Sequence, residues 1–164
     1  MPILYDNLEM NIPTRYIPNI LSTSDRRKQR KNIKKSRKLY KQQKYYTRPK
    51  VKTFKSRKSN HLSRARKLYS IKNIKPSKQL STKTKCTEQA LEKIVNKGRG
   101  AYYSSGSRPN QSAESWGLAR LASSITGGNA SISDYHILKE GCKPTSRALK
   151  MARKTCKLRN KTCK

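Results

Sequence analysis

The chain has 164 residues, 41 Lys and Arg against 8 Asp and Glu for a formal net charge of +33, and only 32% hydrophobic residues. Its length admits one ordinary domain, but so much like charge repels itself in a compact state without anionic partners, and so little apolar content excludes a single large core. No run of 18 apolar residues occurs, which excludes an apolar spanning helix, and Met1–Asp6 lacks the basic start and apolar stretch of a secretory signal.

The charge is unevenly placed. Between Arg15 and Lys85 lie 26 of the 41 bases with one acid, Asp25; from Cys86 to Lys143 seven bases face five acids; from Pro144 onward there are eight bases and no acid. This divides the chain into a docking segment (1–21), a basic arm with one or two helices (22–85), a small helical module (86–143) and a basic C-terminal helix and tail (144–164). The expected class is mainly α.

In chain order, residues 1–21 carry Pro2, Pro13 and Pro18 among scattered apolar side chains, including Tyr16, Ile17 and Leu21. Proline favours extended backbone around it, so these side chains are expected to dock on another molecule. From Ser24 to about Tyr45 no helix breaker occurs, Ser24 offers an N-cap, and Asp25 lies in the first turn. Like charges at i,i+4 oppose this helix, which is expected to form on an anionic or acidic surface, anchored by Ile33, Leu39 and Tyr40. Residues 47–58 read as extended, a short basic helix is expected over 59–69, and Ile71 to Lys85 reads as a linker around Pro76.

The module opens at Thr87. Leu91, Ile94 and Val95 form an inward face, and Gly98 is read as the stop. Arg99 to Gln111 are then a loop pinned by Tyr102 and Tyr103. A helix follows from Ser112 to Gly127 with Trp116 on its buried side; Gly117 inside it costs about 1 kcal/mol in propensity, which a close backbone crossing would explain. A short helix capped by Ser133 turns Tyr135, Ile137 and Leu138 inward. The last runs from Pro144 to about Lys157 with Ala148, Leu149, Ala152 and Cys156 as its apolar stripe.

Enzymatic chemistry is not indicated. The glycines at 98, 100 and 106 fit neither a P-loop nor a dinucleotide fingerprint. His136 and Asp134 are two apart on a helix, and no nucleophile elbow accompanies them; the histidine reads as a partly buried structural residue. Cys86, Cys142, Cys156 and Cys163 contain no C-x-x-C and read as reduced thiols, with a disulfide or zinc site as the less favoured alternative. Arg108, beside Pro109 and three serines, either binds a phosphate or carboxylate or closes the loop. Tyr40, Tyr45, Tyr46, Phe54 and Tyr69 are too few and irregular along the chain for a base-stacking platform.

The run from Gly98 to Gln111, Ser115-Trp116-Gly117-Leu118-Ala119-Arg120-Leu121-Ala122-Ser123, Thr126-Gly127-Gly128 and Asp134 to Leu138, with Arg15-Tyr16-Ile17-Pro18 and the run from Ser22 to Gln29, resembles a family of small basic proteins of eukaryotic large double-stranded DNA viruses. The resemblance implies a non-enzymatic virion protein assembled in the host cytoplasm, with no cofactor, metal or small-molecule substrate. The expected role is that of a minor capsid protein inserting its module and arms between major and minor capsid proteins. The alternative is sequence-nonspecific binding that condenses or packages viral DNA. The packing hub would be Tyr102, Tyr103, Arg108, Pro109, Trp116 and Arg120. The arm contacts would be Arg26, Arg27, Lys28, Arg30, Lys31, Lys34, Lys35, Arg37, Lys38, Arg57 and Lys58.

Overall fold

The computed structural model describes residues 11–163. They form eight α-helices and no strand, as the mainly α expectation has it: α1 (Thr23–Lys41), α2 (Asn60–Tyr69), α3 (Lys78–Thr84), α4 (Glu88–Ser104), α5 (Ala113–Ile125), α6 (Asn129–Ser133), α7 (Tyr135–Gly141) and α8 (Arg147–Leu158), after a 3-10 turn at Thr14–Tyr16. They assemble into two compact units that do not follow the four sequence segments. The first comprises residues up to Arg57 and Arg99–Ala113; the second comprises Lys58–Gly98 and Glu114–Lys164.

In the first unit, α1 starts where Ser22 accepts a hydrogen bond from the Asp25 amide. It ends with Gln43 in the left-handed region (φ 59°) and Lys44 N–H donating to Leu39 O at 2.9 Å, a Schellman-type stop supplied by glutamine. The helix buries Asp25, Gln29, Ile33 and Ser36, spaced by four, four and three along one face. Its anchors therefore lie within the chain, and α1 forms against its own unit where an external anionic surface was expected. Tyr16, Ile17 and Leu21 are buried as well. That corrects the docking reading for these three residues, while Ile20 stays 76% exposed; the apolar residues before Asn11 lie outside the described part.

In the second unit the stretch read as a linker holds α3, capped by Ser77, and buries Ile71, Ile74, Leu80 and Thr84. Together with Ala65, Tyr69, the Leu91, Ile94 and Val95 face of α4, Leu121, Ile125, Leu138 and the predicted stripe of α8, these residues form one apolar cluster. α4 does not stop at Gly98 but continues to Ser104. A Cβ on Gly98 would lie 2.6 Å from the Cα of Gly117, so both glycines serve a close helix crossing, the contact that Gly117 suggested. The stop is Gly106 (φ +133°), whose N–H donates to Ala101 O at 3.0 Å.

The cysteines are paired, which corrects the thiol reading. Cys86 and Cys142 join across an antiparallel bridge flanked by Thr87 N–H to Gly141 O (2.8 Å) and Lys143 N–H to Lys85 O (2.9 Å), and Cys156 joins Cys163 seven residues on. No helix among the described residues is long and apolar enough to cross a membrane.

Candidate nucleic-acid interface

With the inward face of α1 spent on Asp25, Gln29, Ile33 and Ser36, its cations are left outside. Arg27, Lys28, Arg30, Lys31, Lys34, Lys35 and Lys38 are exposed, and Arg26 and Arg37 half-buried. At 3.6 residues per turn, Arg27, Lys31, Lys34 and Lys38 fall within an arc of about 60° opposite the buried stripe and span about 16 Å of the helix axis. Lys35 places its ammonium 4.5 Å from the Tyr46 ring centroid. Arg37 departs from the expected role of arm contact, since its Nε donates to Ser105 O at 2.8 Å and thereby ties α1 to the loop after α4. Arg57 and Lys58 are exposed beyond the first unit's extended segment.

This face is held by a buried polar network that sequence reasoning missed. Arg48, 6% exposed, lies with its guanidinium carbon 3.7 Å from the Tyr102 ring centroid. Nη1 donates to Tyr102 O (2.6 Å) and Ser36 Oγ (3.1 Å), Nη2 donates to Ser107 Oγ (2.7 Å), and the Arg48 amide donates to the Tyr102 hydroxyl (3.0 Å). Burial lowers the arginine's pKa, and the neighbouring Tyr102, Tyr16 and Tyr103 oppose that shift. The group remains a cation, because an arginine is not deprotonated in a protein. Its partners are neutral oxygens and a ring face, which suits the weakly hydrated planar guanidinium and not a lysine. A basic residue beside Pro49 gives no sequence signal of such a role.

Two further anchors fix the segment after α1. Asp25 accepts from the Thr53 amide and hydroxyl, and these bonds hold its carboxyl below the ordinary range. Asn110 (φ 62°) accepts from Val51 N–H at 2.8 Å and donates to Val51 O and Phe54 O.

The expected hub is divided between the units. Tyr102 and Pro109 are buried, Tyr103 half-buried and Arg108 exposed in the first; Trp116 and Arg120 are half-buried in the second. Arg120 has a defined partner there. It donates from Nε (3.0 Å) and Nη2 (2.8 Å) to Asp134, a fully buried carboxylate that also accepts from Ser124 Oγ (2.7 Å) and lies 3.0 Å from Lys97 Nζ. Burial pushes this carboxyl up, but the bonds from Arg120, Ser124 and Lys97 outweigh it and hold the pKa low. Asp134 is thus a structural anion, and His136 is exposed rather than part of the core.

The second unit has its own basic concavity, an open depression of about 400 Å³ lined by Arg64, Lys67, Leu68, Thr126, Arg147 and Met151. Among the described residues no group of three or more His, Cys, Asp or Glu could hold a metal ion. Over residues 13–139 the chain matches DUF5824, a family of unknown function. No curated protein and no solved structure matches it.

Proposed function

We propose that the chain, which belongs to the DUF5824 family of unknown function, is a non-enzymatic structural protein that binds double-stranded nucleic acid along the outer face of α1. It grips phosphates rather than base edges and condenses or packages a genome. One observation supports this above the rest: α1 turns Asp25, Gln29, Ile33 and Ser36 inward and leaves Arg27, Lys28, Arg30, Lys31, Lys34, Lys35 and Lys38 exposed, with no acid among them, an electrostatic footprint suited to a polyanion. Duplex DNA offers one negative charge per about 1.7 Å of axis, so four cations along one helix side release counterions on contact.

The second reading is a minor capsid protein in the virion of a large DNA virus. It draws on the sequence resemblance and on the apolar residues before Asn11. Within the described part Tyr16, Ile17 and Leu21 serve the chain's own core, which removes part of the surface that reading used.

The test is fluorescence anisotropy of a labelled duplex titrated with the full chain at several salt concentrations. Wild-type affinity should fall steeply with salt and ignore sequence. The Arg27→Gln, Lys31→Gln, Lys34→Gln, Lys38→Gln variant should lose about 3 to 4 from the slope of log K against log salt, at about 0.9 per phosphate contact. Duplex binding that salt does not weaken, or a variant that binds like wild type, refutes the proposal; cross-links from intact particles to shell proteins alone would favour the capsid reading.

A further inference from the structure

The first unit gathers three tyrosines that the sequence scatters. Tyr40 and Tyr103 lie nearly parallel (9°) with centroids 6.3 Å apart, and Tyr45 leans on both, 6.2 Å from Tyr40 and 5.1 Å from Tyr103. The turn that ends α1 brings Tyr45 back over Tyr40: Gln43 adopts φ 59° and Lys44 N–H reaches Leu39 O. Tyr103 is fixed from behind by the buried Tyr102 ring, edge-on at 5.1 Å, and by Ser36 Oγ donating to its carbonyl oxygen at 3.0 Å. Yet Tyr45 remains 72% exposed. A large ring held in place and left facing water is a surface prepared for a flat partner.

We infer that Tyr45, braced by Tyr40 and Tyr103, is a stacking site for an unpaired nucleobase of single-stranded DNA or RNA. The inference rests on the nucleic-acid reading of α1 and extends it to a second form of the polymer. Charge selects the occupant. Exposed Lys41 and Lys44 precede Tyr45 in the chain by four residues and one, and Lys38 lies one turn before Lys41 on α1, so a phosphodiester strand is attracted. A second copy of a chain with net charge +33 is repelled. Base pairs within a duplex hide their faces in the stack, so only an unpaired base presents the π-face that a tyrosine takes, and it does so with little regard to sequence. Unpaired bases occur at strand ends and openings, where the α1 cations could hold the adjoining duplex.

The experiment measures affinity of the full chain for labelled oligothymidine, oligouridine, an abasic strand of equal length and a duplex, with wild type, Tyr45→Ala and Tyr45→Phe. Tyr45→Ala should weaken binding of the base-bearing strand about 10-fold, leave the duplex unchanged, and reduce affinity to that of the abasic strand; Tyr45→Phe should restore it. A loss on either oligothymidine or oligouridine supports the site and identifies the strand it takes. Equal losses on strand and duplex, or no loss on any probe, overturn the stacking site while leaving the α1 reading intact. Wild type that binds no oligonucleotide at low salt overturns both.

Discussion

In the second unit an apolar cluster running from Ala65 on α2 to Cys156 on α8 fills the interior, and a disulfide closes a loop across it. Among the described residues of the first, the buried apolar ones are Tyr16, Ile17, Leu21, Ile33, Val51 and Tyr102, and a guanidinium takes part of the interior. Apolar burial is nondirectional and tolerates exchange, whereas a buried cation among fixed oxygens specifies one arrangement and tolerates none. The difference also frees charge for use: because Arg48, Gln29 and Asn110 hold the first unit from within, the outer face of α1 needs no residue for folding.

This contrast can be broken at its strongest point in each unit. Reduction of Cys86–Cys142, or Cys86→Ser with Cys142→Ser, releases a loop closed over 56 residues. It should destabilise the second unit by about 4 kcal/mol, read by denaturant titration with and without reductant. Next in size, Arg48→Ala leaves the Tyr102 carbonyl without its guanidinium donor and takes one hydrogen bond each from Ser36 Oγ and Ser107 Oγ, and should cost about 3 kcal/mol. Arg48→Lys should recover little of it, because an ammonium cannot lie flat on Tyr102 and reach three oxygens. Near-ultraviolet circular dichroism, to which the first unit contributes most of the tyrosines, set against the fluorescence of Trp116 in the second, assigns the loss to the first unit.

Smaller still, Gly98→Ala should destabilise by about 2 kcal/mol despite alanine's better helix propensity, since the added methyl meets the Gly117 backbone, which cannot step aside as a side chain tip would. The smallest effect is that of acid. Asp134 and Asp25 have folded pKa values below their unfolded ones, so each contributes stability that is present above the unfolded value near 3.8 and lost as pH falls through the folded one. Melting temperature should fall below about pH 4, and Arg120→Ala should shrink the part due to Asp134. At the alkaline end Tyr69, raised by burial, opposes unfolding less as pH climbs above 10, where only the unfolded chain ionises freely.

Much of the second unit was legible because its signals are local. Leu91, Ile94 and Val95, then Ala148, Leu149, Ala152 and Cys156, lie at helical spacing and all are buried. The short helix expected over 59–69 is α2, and the cost of Gly117 pointed to a crossing. The rest depended on partners distant in sequence. Gly98 has the appearance of a helix stop and only Gly117 reveals it as a contact; Ile71, Ile74 and Leu80 look like a linker until the cluster that takes them up is present. The candidate site was half legible. The cations of α1 were evident in the sequence, but their exposure depends on Gln29 and Ser36 facing inward, and the tyrosine group joins residues 40, 45 and 103, which no spacing rule connects.

The central claim is that the polar-centred unit carries the nucleic-acid surface and the apolar-centred unit does not. Amide hydrogen exchange of the full chain with and without duplex DNA tests it directly, because bound ligand slows exchange where it stabilises structure. Slowing across α1, the segment to Arg57 and residues 99–113, with α2 and α8 unchanged, is the predicted result. Slowing confined to α2 and α8, around Arg64, Lys67 and Arg147, would contradict it and move the interface to the other unit.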